Sequence, residues 1–176
     1  CMCFEVKHNK QMKTIYLKTA IALMILTIVS CSSDNSDSNS ANADKTTFKL
    51  DGVLITADET TATDYTSVIS GERQIDVYAT KDGKQILELH MPASVGNYPA
   101  EQTVGSTTTS WLTYEANDGM TFPGDYFHST SGTMNLTTMD LPGNKLRGTF
   151  NFVGNNTITT KNITDGVLVV NTMTHQ

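Results

Sequence analysis

The sequence predicts an all-β domain: an antiparallel β-sandwich or a partly closed meander barrel of about eight to ten strands. Three observations lead there. From Thr46 onward, β-branched and aromatic residues come in short runs punctuated by Gly, Asp, Asn and Pro. No stretch of that region sustains the apolar period of a helix. Asp-Gly and Pro-Gly pairs recur between the runs, where hairpin turns need left-handed backbone.

The elements follow in order. Thr46 to Leu50 and Val53 to Ala57 flank Asp51-Gly52, and a two-residue turn there sets Leu50 opposite Val53 and Phe48 opposite Ile55, so the apolar faces agree. Thr63 to Ile69 reads as a strand closed by Ser70-Gly71-Glu72. Arg73 to Thr80 and Lys84 to Met91 flank Lys81-Asp82-Gly83. A two-residue turn would set Val77 against Glu88, whereas a three-residue loop with Gly83 left-handed pairs Val77 with Leu87 and Ile75 with Leu89, the expected register. Pro92 to Ser110, containing Gly96-Asn97-Tyr98-Pro99, reads as a long connection, Trp111 to Ala116 as a strand, and Asn117 to Thr130 as a second long connection holding Asp118-Gly119 and Pro123-Gly124. Thr133 to Met139 and Lys145 to Val153 form a hairpin around Leu141-Pro142-Gly143. An odd-length loop keeps Met134, Leu136, Phe150 and Phe152 on one face, with Asn135, Thr137, Arg147, Thr149 and Asn151 on the other. Asn162 to Gly166 leads into a final strand, Val167 to Val170.

Ahead of this domain, residues 1–30 have the order of a secretory signal peptide: Lys13 and Lys18, an uncharged run from Thr19 to Val29, then small residues before Cys31. The run is short of the roughly 20 apolar residues a membrane-spanning helix needs. Met12 is the more natural start of this leader, which would put residues 1–11 upstream of the initiator; a start at Met2 only lengthens the charged segment. Ile28-Val29-Ser30-Cys31 resembles the lipobox of bacterial lipoproteins. That resemblance implies a diacylglyceryl group on the Cys31 thiol, cleavage before Cys31 and acylation of the new amine with a fatty acid such as palmitate. Several acyl chains at about 0.8 kcal/mol per buried CH₂ anchor stably where one does not. Ser32 to Asp44 has nothing to bury and reads as a flexible tether, so 31–45 forms the lipidated linker and 46–176 the β domain. Ser32 with Asp34 and Asp37 looks like the acidic export signal of Bacteroidetes-type lipoproteins. Outer membrane of a Gram-negative bacterium is the expected location, with surface display ahead of a periplasm-facing anchor.

Charge narrows the partners. The leader carries a net of +3 against −6 for the whole chain, which leaves the mature protein near −9. It has no Lys/Arg cluster with which to hold nucleic acid. The one cysteine past the leader is the lipid-bearing Cys31, so neither a disulfide nor thiol catalysis is expected.

Gly96-Asn97-Tyr98, Ser131 to Leu136, Gly148 to Phe152 and Ile163 to Gly166, together with the opening Phe48 and Asp51-Gly52 hairpin, resemble a family of small uncharacterised Bacteroidetes lipoproteins of β-sandwich type. The resemblance implies architecture and location. It implies no activity, because its motifs are turn glycines and core aromatics.

Three constellations carry chemistry. In the expected register Asp76 lies directly opposite Glu88, with His90 two residues on and across from Gln74; opposed carboxylates in a sheet repel, and a bound Ca²⁺ or Zn²⁺ would relieve them. Against that stands the ordinary case of solvated side chains offset by Arg73 or Lys84. Asp125 and His128, with Ser129 and Ser131 nearby, are the pair a hydrolase would need, yet no Gly-x-Ser-x-Gly elbow or His-Glu-x-x-His helix is present. Trp111, Tyr114, Tyr98, Phe122, Tyr126 and Phe127 gather around the long connections, where aromatic loops stack on sugars or anchor a partner, or else plug the ends of the core.

The expectation is therefore a membrane-tethered, non-enzymatic module without a resident cofactor, binding a glycan, a small ligand or an envelope protein through its long loops. The rivals are a hydrolase using Asp125 and His128, and a structural envelope component with no ligand.

Overall fold

The computed structural model describes residues 44–102, 110–117 and 124–176. The leader, Cys31 and the tether through residue 43 lie outside the described residues, as do Asp118, Gly119, Phe122 and Pro123.

Eleven strands are described: β1 (Thr47–Leu50), β2 (Val53–Thr56), β3 (Glu59–Thr66), β4 (Arg73–Lys81), β5 (Lys84–Pro92), β6 (Gly96–Pro99), β7 (Trp111–Glu115), β8 (Tyr126–Asp140), β9 (Lys145–Asn155), β10 (Thr160–Val170) and β11 (Thr172–His175). They form one sheet in the order β11-β3-β4-β5-β7-β8-β9-β10-β1-β2, with β6 paired to β8 off this path. The sheet curls strongly into a half-barrel, so of the two expected architectures the partly closed meander is the one observed and the two-sheet sandwich is set aside. One pairing departs from the antiparallel expectation: β11 runs parallel to β3.

The curl is visible in what it brings together. Phe48 of β1 meets Tyr114 of β7 edge-on at 6.3 Å between ring centroids, although β8, β9 and β10 separate those strands along the sheet. Only Asn171 joins β10, near one end of the sheet order, to β11 at the other end. Arg147 donates to Val170 O and to Asn171 Oδ1 there, both at 2.6 Å. Thr46 clasps the same region: its buried hydroxyl donates to Val169 O at 3.1 Å and accepts from Val169 N–H at 3.0 Å. The inner face holds Phe48, Ile75, Val77, Leu87, Leu89, Leu112, Met134, Leu136, Leu146, Phe150, Phe152 and Ile163, all buried, as the period-two alternation of each strand requires.

The first hairpin is as expected. Asp51 and Gly52 both have positive φ (49° and 87°), and Leu50 pairs with Val53, Phe48 with Ile55. The β4–β5 hairpin differs. Asp82 and Gly83 form a two-residue turn (φ 53° and 75°) that pairs Lys81 with Lys84. A bulge between Ala79 and Thr80 in the ladder then takes up Ile86, so Val77 pairs with Leu89, Ile75 with Met91 and Asp76 with His90. The extra residue lets a tight turn and an aligned apolar face coexist; the three-residue loop was needed only if the ladder ran unbroken. The β8–β9 loop has the four residues between Asp140 and Lys145, and a bulge between Leu136 and Thr138 restores the expected inner face.

Other boundaries shift for similar reasons. β3 is Glu59–Thr66, and Val68 and Ile69 stand exposed in the following turn. The first long connection contains β6, and β8 already starts at Tyr126. β8 serves two neighbours on one edge, β7 through its first part and β6 beyond Gly132, whose φ of 143° marks the change.

β11 was not foreseen. A buried Asp64 holds it: the carboxylate accepts from Arg73 Nε at 2.6 Å, pairs with Arg73 Nη2 and with His175 Nδ1, and the Asp64 carbonyl accepts from Gln176 N–H at 2.9 Å. Removing one member of a fully buried pair costs about 3–5 kcal/mol; here Arg73 and His175 keep half their surface in water, so Asp64→Ala is expected to cost about 2–3 kcal/mol in urea unfolding, with loss of amide protection along β11.

Candidate functional site

The face opposite the core, across β3, β4, β5, β7 and the start of β8, is the most chemically varied part of the described surface. Alternation puts Tyr65 on it from β3, Gln74, Asp76 and Tyr78 from β4, Glu88 and His90 from β5, Trp111, Thr113 and Glu115 from β7, and Tyr126 and His128 from β8.

Its centre is a chain of contacts through His90. Asp76 Oδ1 accepts from His90 Nδ1 at 2.6 Å, which orients the imidazole against the carboxylate. The imidazole stacks on Trp111, centroids 5.3 Å apart and planes 13° apart. The Tyr65 hydroxyl lies 3.5 Å from the same nitrogen, and burial first and the Asp76 carboxylate second push its phenol up. Farther along β7, Thr113 Oγ1 meets His128 Nδ1 at 3.1 Å, His128 stacks on Tyr126 at 6.3 Å, and the Gln85 amide donates to Glu115. A hollow of about 220 Å³, lined in part by Lys81, Lys84, Gln85 and Glu115, opens at the β4–β5 turn end.

Electrostatics tie these groups together. Burial pushes the Glu88 carboxyl up, and Glu115 and Asp76 push it further, against a smaller opposite pull from His90. Burial raises Glu115 as well, opposed by Gln85. The Tyr78 phenol is pushed up to about 12, by burial first and then by Asp76 and Glu88. Burial lowers His128, favouring its neutral form. Because Glu88 holds its proton more tightly in the folded state, its contribution to stability is present below the ordinary range near 4.5 and is lost as pH rises through the raised value. Glu88→Gln is therefore expected to raise the melting temperature at pH 7 and to have little effect near pH 4, read from paired thermal melts.

The expected metal set, Asp76, Glu88 and His90, does share this face, but not in the geometry that motivated it. The bulge at Ile86 turns Asp76 to His90 and sets Glu88 against Tyr78, so the directly opposed carboxylates do not occur. Among the described residues, no group of three or more His, Cys, Asp and Glu side chains is arranged to hold a metal ion. The aromatic candidates divide. Trp111 lies on the outer face beside His90, and Tyr126 beside His128, both on strands rather than loops. Tyr114 points the other way, packing on Phe48 and on Phe127 at 6.0 Å, and belongs to the core. Tyr98 folds back on its own turn, its hydroxyl donating to Ser94 O at 2.8 Å. Phe122 lies outside the described residues. Of the hydrolase pair, His128 sits within β8 against Thr113, while Asp125 precedes the strand and its carbonyl accepts from Ala116 N–H at 2.8 Å.

Tyr65, Tyr78 and Glu115 were not singled out in the sequence, and Gln74, expected across from His90, pairs with Pro92 instead. Strand alternation signals each one's face, but joining them needs the β3–β4 and β5–β7 pairings, the second of which skips β6. Comparison with curated proteins and with solved structures finds no match in either set. Residues 49–170 match a family described as a domain of unknown function, DUF6252, and the chain belongs to that family.

Proposed function

We propose that the chain is a membrane-tethered, non-enzymatic binding protein of the bacterial envelope, anchored through a lipid on Cys31 at the outer membrane and presenting its β domain to a glycan. The observation that carries the reading is the outer face around Asp76, His90 and Trp111. There aromatic rings lie beside carboxylates and an imidazole, the combination that stacks on a sugar ring and hydrogen-bonds its hydroxyls. The ligand is thus met on a sheet face rather than on the long loops, and the rigid strands hold the groups in place before binding. Binding needs no basic patch, in keeping with the acidic balance of the chain.

Two measurements test it. The full chain on a glycan array is expected to select a subset of sugars and to lose them on Trp111→Ala; a folded chain that retains no sugar at all overturns the reading. Cys31→Ser is expected to release the protein from the membrane fraction at uncleaved mass; membrane retention of that variant overturns the anchor.

A further inference from the structure

The turn between β3 and β4 ends in two aliphatic side chains that touch almost nothing. Val68 is 100 % exposed and its neighbour Ile69 is 96 % exposed. Exposed aliphatics scattered singly are ordinary, whereas two adjacent ones at a protruding tip mark a contact surface. The backbone beneath them is already provided for. Ser67 Oγ accepts from Ile69 N–H at 3.4 Å and from Ser70 N–H at 3.3 Å, and Ser67 O accepts from Gly71 N–H at 2.8 Å. Glu72 N–H donates to Ser70 Oγ at 3.2 Å, and Ser67 N–H donates to Glu72 O at 2.9 Å. Five N–H groups thus find partners inside the tip. That is the condition for backbone to leave water for an apolar phase.

The surroundings of the tip agree with it. Ala93 N–H donates to Arg73 O at 2.9 Å, which places the β5–β6 connection at the base of the tip. Val95 of that connection is 59 % exposed, and it joins Ala93, Met139, Leu141 and Pro142 around a hollow of about 420 Å³. Between Thr66 and Arg73 the one charged residue is Glu72, and Arg73 is itself paired with the buried Asp64. This end therefore offers apolar side chains rather than charge, in a chain that is acidic overall.

We propose that this end of the domain seats on a phospholipid bilayer, with Val68 and Ile69 entering the boundary of the acyl chains. The inference rests on the lipid anchor at Cys31 and adds how the anchored domain is held against the membrane. Two aliphatic side chains are too few to recruit a free protein, but they suffice as a second contact beside an anchor. A fluid phase also accepts a protruding tip without a pocket shaped to it. Reach allows both contacts at once. Asp44 lies with Glu59 and Thr60 at the start of β3, so the tip is one eight-residue strand away, about 26 Å. Residues 31–43 number thirteen, and the coil that their composition predicts spans about 20 Å on average and about 40 Å when drawn out.

The cysteine content of the chain supplies the test. Cleavage before Cys31 removes Cys1 and Cys3, and the anchor occupies the Cys31 thiol, so an introduced cysteine is the only free thiol of the mature lipoprotein. Ile69→Cys is compared with Ile158→Cys, which replaces another exposed isoleucine, at the β9–β10 turn. Each lipoprotein is labelled with NBD and reconstituted in phosphatidylcholine vesicles that carry doxyl groups on their acyl chains. The label at 69 is expected to be quenched at least about threefold more than the label at 158, and Val68→Asp beside it to bring the two level. Equal quenching at the two positions overturns the inference and leaves the anchor standing, with the tip facing water or a protein partner. Quenching at 69 that survives Val68→Asp belongs to the label and overturns it too. A chain that does not float with the vesicles overturns the anchor, and the seating falls with it, a result that flotation gives before any quenching is read.

Discussion

Gly132→Ala is expected to destabilise the domain by roughly 3–5 kcal/mol, combining backbone strain of about 1–3 with overpacking of about 1–3. Its φ of 143° lies where an L side chain is strained, and a Cβ added there would stand 2.2 Å from Asn151 O, 2.6 Å from Phe152 Cα and 2.8 Å from Phe152 Cβ. Two of those three atoms are backbone of β9, in the ladder that Gly132 itself joins. They cannot withdraw without parting β8 from β9. Gly71→Ala is the control: its φ is +72° but nothing lies within 4 Å of the added carbon, so it carries the conformational cost alone, about 1 kcal/mol. Urea midpoints of the two variants separate the steric from the conformational part. Equal shifts would mean that β9 yields freely and that the bend is not the fixed point described.

Phe48→Ala is expected to cost about 3–5 kcal/mol, the range for emptying a buried phenylalanine site. Phe48 is fully buried on a four-residue strand, between Tyr114 at 6.3 Å and Phe150 at 6.1 Å. Its ring is where the curled sheet closes on itself, so the void would open at the point that defines the inner face. Thermal unfolding should show the loss, while Trp111 emission in the folded variant stays unchanged because that ring is on the other side of β7. A loss near 1 kcal/mol would mean that β1 packs only locally and that the half-barrel has no shared core.

What could be read in advance depended on how local its cause is. Asp51-Gly52 specified its hairpin because a two-residue turn with both φ positive admits few residue types. The β4–β5 register was missed because a bulge at Ile86 carries no residue signature, and one uncounted residue moved Asp76 from Glu88 to His90. β11 was missed because a short, polar segment with one apolar residue, Met173, becomes a strand only through a partner more than a hundred residues earlier. The candidate site was legible in the same measure. Alternation along the hairpin put Asp76, Glu88 and His90 on one face, and Trp111 was noted among the aromatics. The stacking of Trp111 on His90 required β5 to pair with β7 across the intervening β6, which no spacing in the sequence announces. Tyr114 was misjudged for a related reason: it is three residues from Trp111, an odd step that a strand converts into opposite faces.

The clasp on β11 also sets a timetable. His175 and Asp64 are 111 residues apart, and Thr46 and Val169 are 123 apart. Contacts of such span make for slow acquisition, in milliseconds to seconds rather than microseconds. A growing chain holds β3 and β4 long before it holds the strand that covers their edge, so the exposed rim of β3 must stay unpaired until the very late residues arrive. Throughout that interval β3 is open to any other extended chain that meets it.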